Sequence, residues 1–127
     1  MNKIIINTDK APAAIGAYSQ AVKVGGTVYI SGQIPLSPES SELVSTDFIM
    51  QAEQVFANLS AVAQAAGGSL NDAVKLTVYL IDLNNFTLLN DVMSKCMQQP
   101  FPARAAVEVS ALPKGAQIEI DAVLCLT

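Results

Sequence analysis

Arg104 is the only arginine in the chain, and it stands among small residues in Ala103-Arg104-Ala105-Ala106. A guanidinium with room around it can hold a planar anion through two parallel N–H bonds, which lysine does not reproduce. Glu119 lies in Gln117-Ile118-Glu119-Ile120-Asp121, where polar and apolar residues alternate. If both segments are strands, alternation puts Arg104, Ala106 and Glu108 on one face of the first, and Gln117, Glu119 and Asp121 on one face of the second. With the apolar faces packed under helices, Arg104 and Glu119 then share the opposite, polar face. A carboxylate there is a candidate base for activating water. Alternation by itself favours a plainer reading, an ion pair of Arg104 with Glu108 or Glu119, because structural ion pairs are common outside active sites.

The other candidates each carry two readings. Tyr18, in a loop with Gly16, is either a lid or a surface aromatic. Ser31-Gly32, near a strand end, is either backbone geometry or a place where glycine lets another group approach closely. Asn90 falls inside a helical stretch, where a solvent-facing asparagine is the plain expectation. Met93 and Met97 read as packing residues.

What is missing narrows the chemistry. The chain has no histidine, which excludes Ser–His–Asp and Cys–His arrangements within one chain and His-built zinc sites. It has no GxGxxG and no GxxxxGK[ST], so no nucleotide-binding turn is signalled. Net charge is -4 with the cations scattered singly, which makes nucleic acid a poor partner. The longest uncharged stretch, Gln54 to Asn71, is too polar to span a bilayer. No secretory signal is visible, and Cys96 and Cys125 match no paired motif, so a reduced cytosolic setting is expected.

The positioning elements follow from periodicity. Ile4–Ile6 opens as a short strand, and Ala21–Val24 and Thr27–Ile34 flank Gly25-Gly26, the turn that a I′ or II′ hairpin favours. Thr46–Ala66 predicts a helix capped by Thr46 and stopped by Gly67, with Ile49, Ala52, Phe56, Leu59, Ala63 and Ala66 on its apolar face. Val74, Leu76, Val78 and Leu80 mark a strand. A second helix starts at Asn84 or Asn85 with a stripe of Leu88, Leu89, Val92, Met93 and Cys96, ending at Pro100. Ala103–Val109 and Gln117–Leu126 are the last strands. The order predicts one α+β domain, helices on one face of a mixed six-stranded sheet. Apolar residues reach 51% and charged residues only 14%, an excess expected to lie in a subunit interface.

Four segments in order resemble the Rid (YjgF) family: Ala14-Ile15-Gly16-Ala17-Tyr18-Ser19-Gln20-Ala21, Ser31-Gly32-Gln33-Ile34-Pro35, Phe101-Pro102-Ala103-Arg104, and Leu112-Pro113-Lys114 leading to Ile118-Glu119-Ile120. The likeness spans essentially the whole chain. It implies a chorismate-mutase-like fold and a homotrimer with a central barrel of sheets and clefts between subunits. It also implies hydrolysis of enamine/imine intermediates, such as 2-aminoacrylate and 2-aminocrotonate, through 2-imino acids to 2-keto acids and ammonia. By the same resemblance Arg104 would clamp the substrate carboxylate, with the Ala106 N–H as a further donor. Glu119 would activate water, Tyr18 would close the pocket, and Ser31, Gly32 and Asn90 would line it. No metal or cofactor is needed, because an imine carbon is already electrophilic. Ala17 and Ala106 stand where many members have proline and cysteine, and the Lys95–Pro100 segment is short. The alternative is a non-catalytic trimer that binds small keto or amino acids.

Overall fold

Alternating strands and amphipathic helices assemble in this chain into one sheet with both helices on a single face. The computed structural model describes residues 2–127. Its elements are β1 (Lys3–Ile6), β2 (Ala21–Val24), β3 (Thr27–Gln33), α1 (Phe48–Ala65), β4 (Ala73–Leu80), α2 (Phe86–Cys96), β5 (Ala103–Glu108) and β6 (Ile118–Cys125). The sheet has six strands in the order β1-β2-β3-β6-β4-β5. Only β4 and β5 run parallel, joined through α2; the other pairs are antiparallel. The α+β, mixed-sheet architecture is the one the sequence implied.

In the first hairpin only Gly25 carries a left-handed φ, +59°, which selects the II′ turn over I′. The core lies between sheet and helices. Ile118, Ile120, Ala122 and Leu124 of β6, Leu76, Val78 and Leu80 of β4, and Val55, Phe56, Leu59 and Val62 of α1 are all buried there.

Helix boundaries differ from expectation by the identity of the cap. Asp47, not Thr46, caps α1: its Oδ2 accepts the Met50 N–H at 3.0 Å. Thr46 instead offers its carbonyl to Gln117. Gly67 does follow the helix with a φ of +94°. Ile49 sits on the outer side of the first turn, 40% exposed, while Val55 and Val62 complete the buried face. The helix α2 begins at Phe86, just past the expected Asn84 or Asn85, after a short 3-10 turn at Leu83–Asn85. Cys96 is exposed and Met97 is buried in its place. In β4 an irregularity between Ala73 and Lys75 turns Val74 outward.

The correction that matters most concerns β5. Its register with β4 pairs Leu76 with Arg104 and Val78 with Ala106. Paired residues project to the same side, and Leu76 and Val78 are core residues under the helices. Arg104 and Ala106 are therefore on the helix side, and Ala105 and Val107 face the open side. Glu119 pairs with Tyr79, on the open side. Arg104 and Glu119 thus lie on opposite faces of the sheet, not on one shared polar face.

Candidate active site

The open side of the sheet carries the carboxylate half. Between Ile30 and Gln33 the β3–β6 register slips, so that Ser31 and Gly32 together oppose the single residue Asp121. Such a bulge re-aims the backbone, here bringing Gly32 against Glu119. A Cβ built on Gly32 would overlap the Glu119 carboxylate, with Cδ only 2.8 Å away. Glycine at this position is what gives the carboxylate its place. Burial first, and the negative charge of Asp121 second, push the Glu119 carboxyl above its ordinary value. A half-buried carboxylate with a raised proton affinity is a competent general base.

Glu119 lines a cavity of about 590 Å³ whose wall includes Tyr18, Gln20, Ser31, Gly32 and Lys114. The loop that carries Tyr18 is fixed at its root. Gln20, 2% exposed, accepts from Thr8 N–H and donates to the Thr8 and Pro12 carbonyls at 3.0 and 2.8 Å. Ser31 grips the same root: its N–H donates to Gln20 O and its Oγ to Ser19 O at 2.6 Å. The Ser31 hydroxyl proton is therefore committed to the loop. Tyr18 itself is exposed, its hydroxyl accepting a long 3.4 Å bond from Ile15 N–H. A firm root with a lightly held tip suits a lid.

The guanidinium half sits at the sheet edge, under α2. Arg104 Nη1 donates to Asn90 Oδ1 at 2.6 Å and points at Met93 Sδ at 3.6 Å. Its Cζ lies 4.9 Å from the centre of the Phe86 ring, a cation–π distance. Phe86, Asn90 and Met93 are spaced by four and three, hence on one helical face. These partners are all neutral. Glu108, which the sequence offered for an ion pair, accepts the Leu83 N–H instead. Arg104, Asn90, Met93, Phe101 and Pro102 border a cavity of about 480 Å³. Val109 N–H donates to Leu80 O on β4; alternation then turns the Ala106 N–H away from β4, to the open edge of the sheet.

Within one chain, the expected site residues therefore form two groups. Tyr18, Ser31, Gly32 and Glu119 share one cavity; Arg104 and Asn90 share the other, with Ala106 on the same edge strand as Arg104. Sequence reasoning passed over Phe86, Gln20 and the Tyr79–Asp121 pair. The helical spacing of Phe86 to Asn90 was a usable signal; the roles of Gln20 and Tyr79 depend on partners at 8 to 42 residues' separation and left none. No described helix is long and apolar enough to cross a membrane.

Residues 8–125 match the family described as endoribonuclease L-PSP. A goat protein named 2-iminobutanoate/2-iminopropanoate deaminase is 50% identical, over 94% of this chain and 87% of its own length. The crystal structure of RidA from the Antarctic bacterium Psychrobacter sp. is 58% identical, with a TM-score of 0.94 over 97% of this chain and 99% of that one. TdcF of E. coli, solved with bound serine, is 39% identical, with a TM-score of 0.91 over 98% of this chain and 99% of that one. This chain belongs to the endoribonuclease L-PSP family, the Rid proteins whose motifs it carries.

Proposed function

We propose that this chain is a deaminase that hydrolyses small 2-imino acids, and the enamines that tautomerise to them, to 2-keto acids and ammonia. One observation carries the reading. Among the described residues Arg104 is held in place by neutral partners alone, which leaves its charge for a carboxylate from outside the chain. The relatives named deaminase support the activity itself.

The two groups belong to one site only if a second copy joins them. In a homotrimer the sheet-edge group of one subunit, Arg104 with the Ala106 N–H and Asn90, meets the Glu119 group of the next. The open sheet face supports such assembly: it exposes Ile5 (47%), Tyr29 (54%) and Val107 (43%), apolar surface that a subunit contact would cover.

In the joined site Arg104 binds the substrate carboxylate and sets the imine carbon beside a water held by Glu119. The water oxygen bonds to that carbon while its proton passes to Glu119 and the C=N electron pair moves to nitrogen. Glu119 then returns the proton to the nitrogen. Glu119 next carries the proton of the new hydroxyl to the same nitrogen, and the C–N bond breaks as the C=O bond forms, giving the keto acid and ammonia. Tyr18 closes over the cleft, and Gly32 gives the Glu119 carboxylate its space. The chemistry draws on no metal or cofactor, and the setting is the cytosol. RNA is not the substrate in this reading, because a chain of net charge -4 offers little to a phosphate backbone.

The bound serine in TdcF favours a second reading, a binder of small amino or keto acids that does no chemistry. A coupled assay separates the two. A serine or threonine dehydratase generates the enamine, and keto-acid appearance is followed with and without this protein and its Arg104→Ala variant. Acceleration that vanishes in the variant supports the deaminase. Keto-acid binding without acceleration, across several such substrates, supports the binder.

A further inference from the structure

Glu119 is not the only carboxylate on its strand face. Asp121 follows two residues later on the same side of β6, and Tyr79 stands directly across from Glu119 on β4. By register Glu119 is the direct neighbour of Tyr79 and Asp121 the diagonal one. The Tyr79 hydroxyl nevertheless takes the diagonal, donating to Asp121 Oδ2 at 3.0 Å. A hydrogen bond donated to a carboxylate favours its charged form. The single phenolic proton is thus spent on the Asp121 carboxylate, which it fixes in place, and not on Glu119.

We propose that Asp121, pinned by Tyr79, is a positioning residue for the deaminase: a fixed negative charge that makes Glu119 the carboxylate that exchanges protons. This rests on the reading of Glu119 as the base. The other groups around the Glu119 cavity include one cation, Lys114, which keeps its charge but is held at the rim by a backbone carbonyl. From β3 come only Ser31 and Gly32, which do not titrate. At the cavity rim stand Tyr18, whose hydroxyl accepts from Ile15, and Lys114, whose Nζ donates to Ser41 O at 3.0 Å. The directions agree with this division of labour. Burial first and Asp121 second raise the proton affinity of Glu119, and the hydrogen bond to Asp121 is the leading cause that raises Tyr79.

A Tyr79–Asp121 bond that merely ties β4 to β6 would affect stability and leave the pH dependence of turnover alone. The test is the enzyme-dependent kcat/KM against pH for the native protein, Asp121→Asn and Asp121→Glu, with Glu119→Gln as the control that identifies the acid limb. The expected result is an acid limb at lower pH in Asp121→Asn, returned to its native position in Asp121→Glu, with kcat falling more than KM rises. Coincident limbs in native and Asp121→Asn protein overturn the proposal. Absence of any Glu119-dependent turnover in the native protein is a different failure, that of the deaminase reading. In that case, or if Asp121→Asn does not fold, carboxyl-labelled native protein is titrated by NMR. A Glu119 curve that responds to the charge at Asp121 supports the proposal; two independent single-step curves overturn it.

Discussion

The Glu119 carboxylate lies against the Cα of Gly32, in the volume that any side chain at residue 32 would occupy. The atoms that would collide are the outer end of a flexible side chain, with Cγ at 3.1 Å, so the backbone need not move. Gly32→Ala should therefore fold with a melting temperature close to native while displacing the carboxylate from its place in the cavity. Misplacement of a reacting group by about 1 Å can reduce turnover on the order of 100-fold. Thermal melting and kcat measured on one preparation decide it; loss of fold together with activity would show that Gly32 serves the bulge and not the carboxylate.

Arg104 should resist its conservative replacement. Lysine keeps the charge but loses the planar fork, the Asn90 bond in its present geometry and the stacking on Phe86. A lost charge-assisted hydrogen bond is worth about 1.5–3 kcal/mol, so Arg104→Lys should lower kcat/KM by about 10- to 150-fold, with much of the loss in KM. Native kcat/KM in this variant would show that a point charge suffices and that the carboxylate is not held bidentately.

Glu119 should be a residue that favours activity over stability. Its folded proton affinity is raised, by burial and by Asp121. Such a group supports the fold most fully below its unfolded pKa, and that support is lost as pH rises through the higher folded value. Near neutral pH the native protein holds a partly buried charge that glutamine would not. Glu119→Gln should therefore melt at a higher temperature than native at pH 7, and the difference should close as pH falls below the ordinary glutamate value of about 4.3. Turnover should drop by about 100- to 10,000-fold. A lower melting temperature at pH 7 would contradict the assigned direction.

Gln20 is a stability prediction with a kinetic echo. Its buried amide satisfies backbone groups of Thr8 and Pro12 and holds the root of the Tyr18 loop. Gln20→Ala strands those groups, a loss of about 1–3 kcal/mol. Urea unfolding measures it, and hydrogen exchange in residues 8–19 should quicken relative to α1.

The division between what the sequence told and what it hid is physical. The Glu119 face was legible because Ile118, Ile120 and Ala122 leave no doubt which side of β6 enters the core. The Arg104 face was not. Both sides of β5 carry alanines, so alternation separates them without saying which is covered. That choice is made by the parallel register with β4 and by the Phe86, Asn90 and Met93 face of α2, both long-range facts. The bulge at Ser31-Gly32 was hidden for a related reason: it exists only in the pairing with β6.

The opposite-face arrangement yields the most specific prediction. If Arg104 and Glu119 act on one substrate from two subunits, neither Arg104→Ala nor Glu119→Gln homotrimers contain an intact site. Mixed trimers do, wherever a subunit with native Arg104 adjoins one with native Glu119. Random mixing of equal amounts should place one such pair at roughly a quarter of the clefts, since cyclic assembly makes each cleft an independent draw of two neighbours. Co-refolding the two inactive variants should therefore restore about a quarter of native kcat per cleft with an unchanged KM, and the untreated mixture should stay inactive until subunits exchange. A site completed within one chain gives no recovery at any mixing ratio, because every chain then carries a lesion of its own. Recovery with a native KM is thus a signature that only a shared cleft produces.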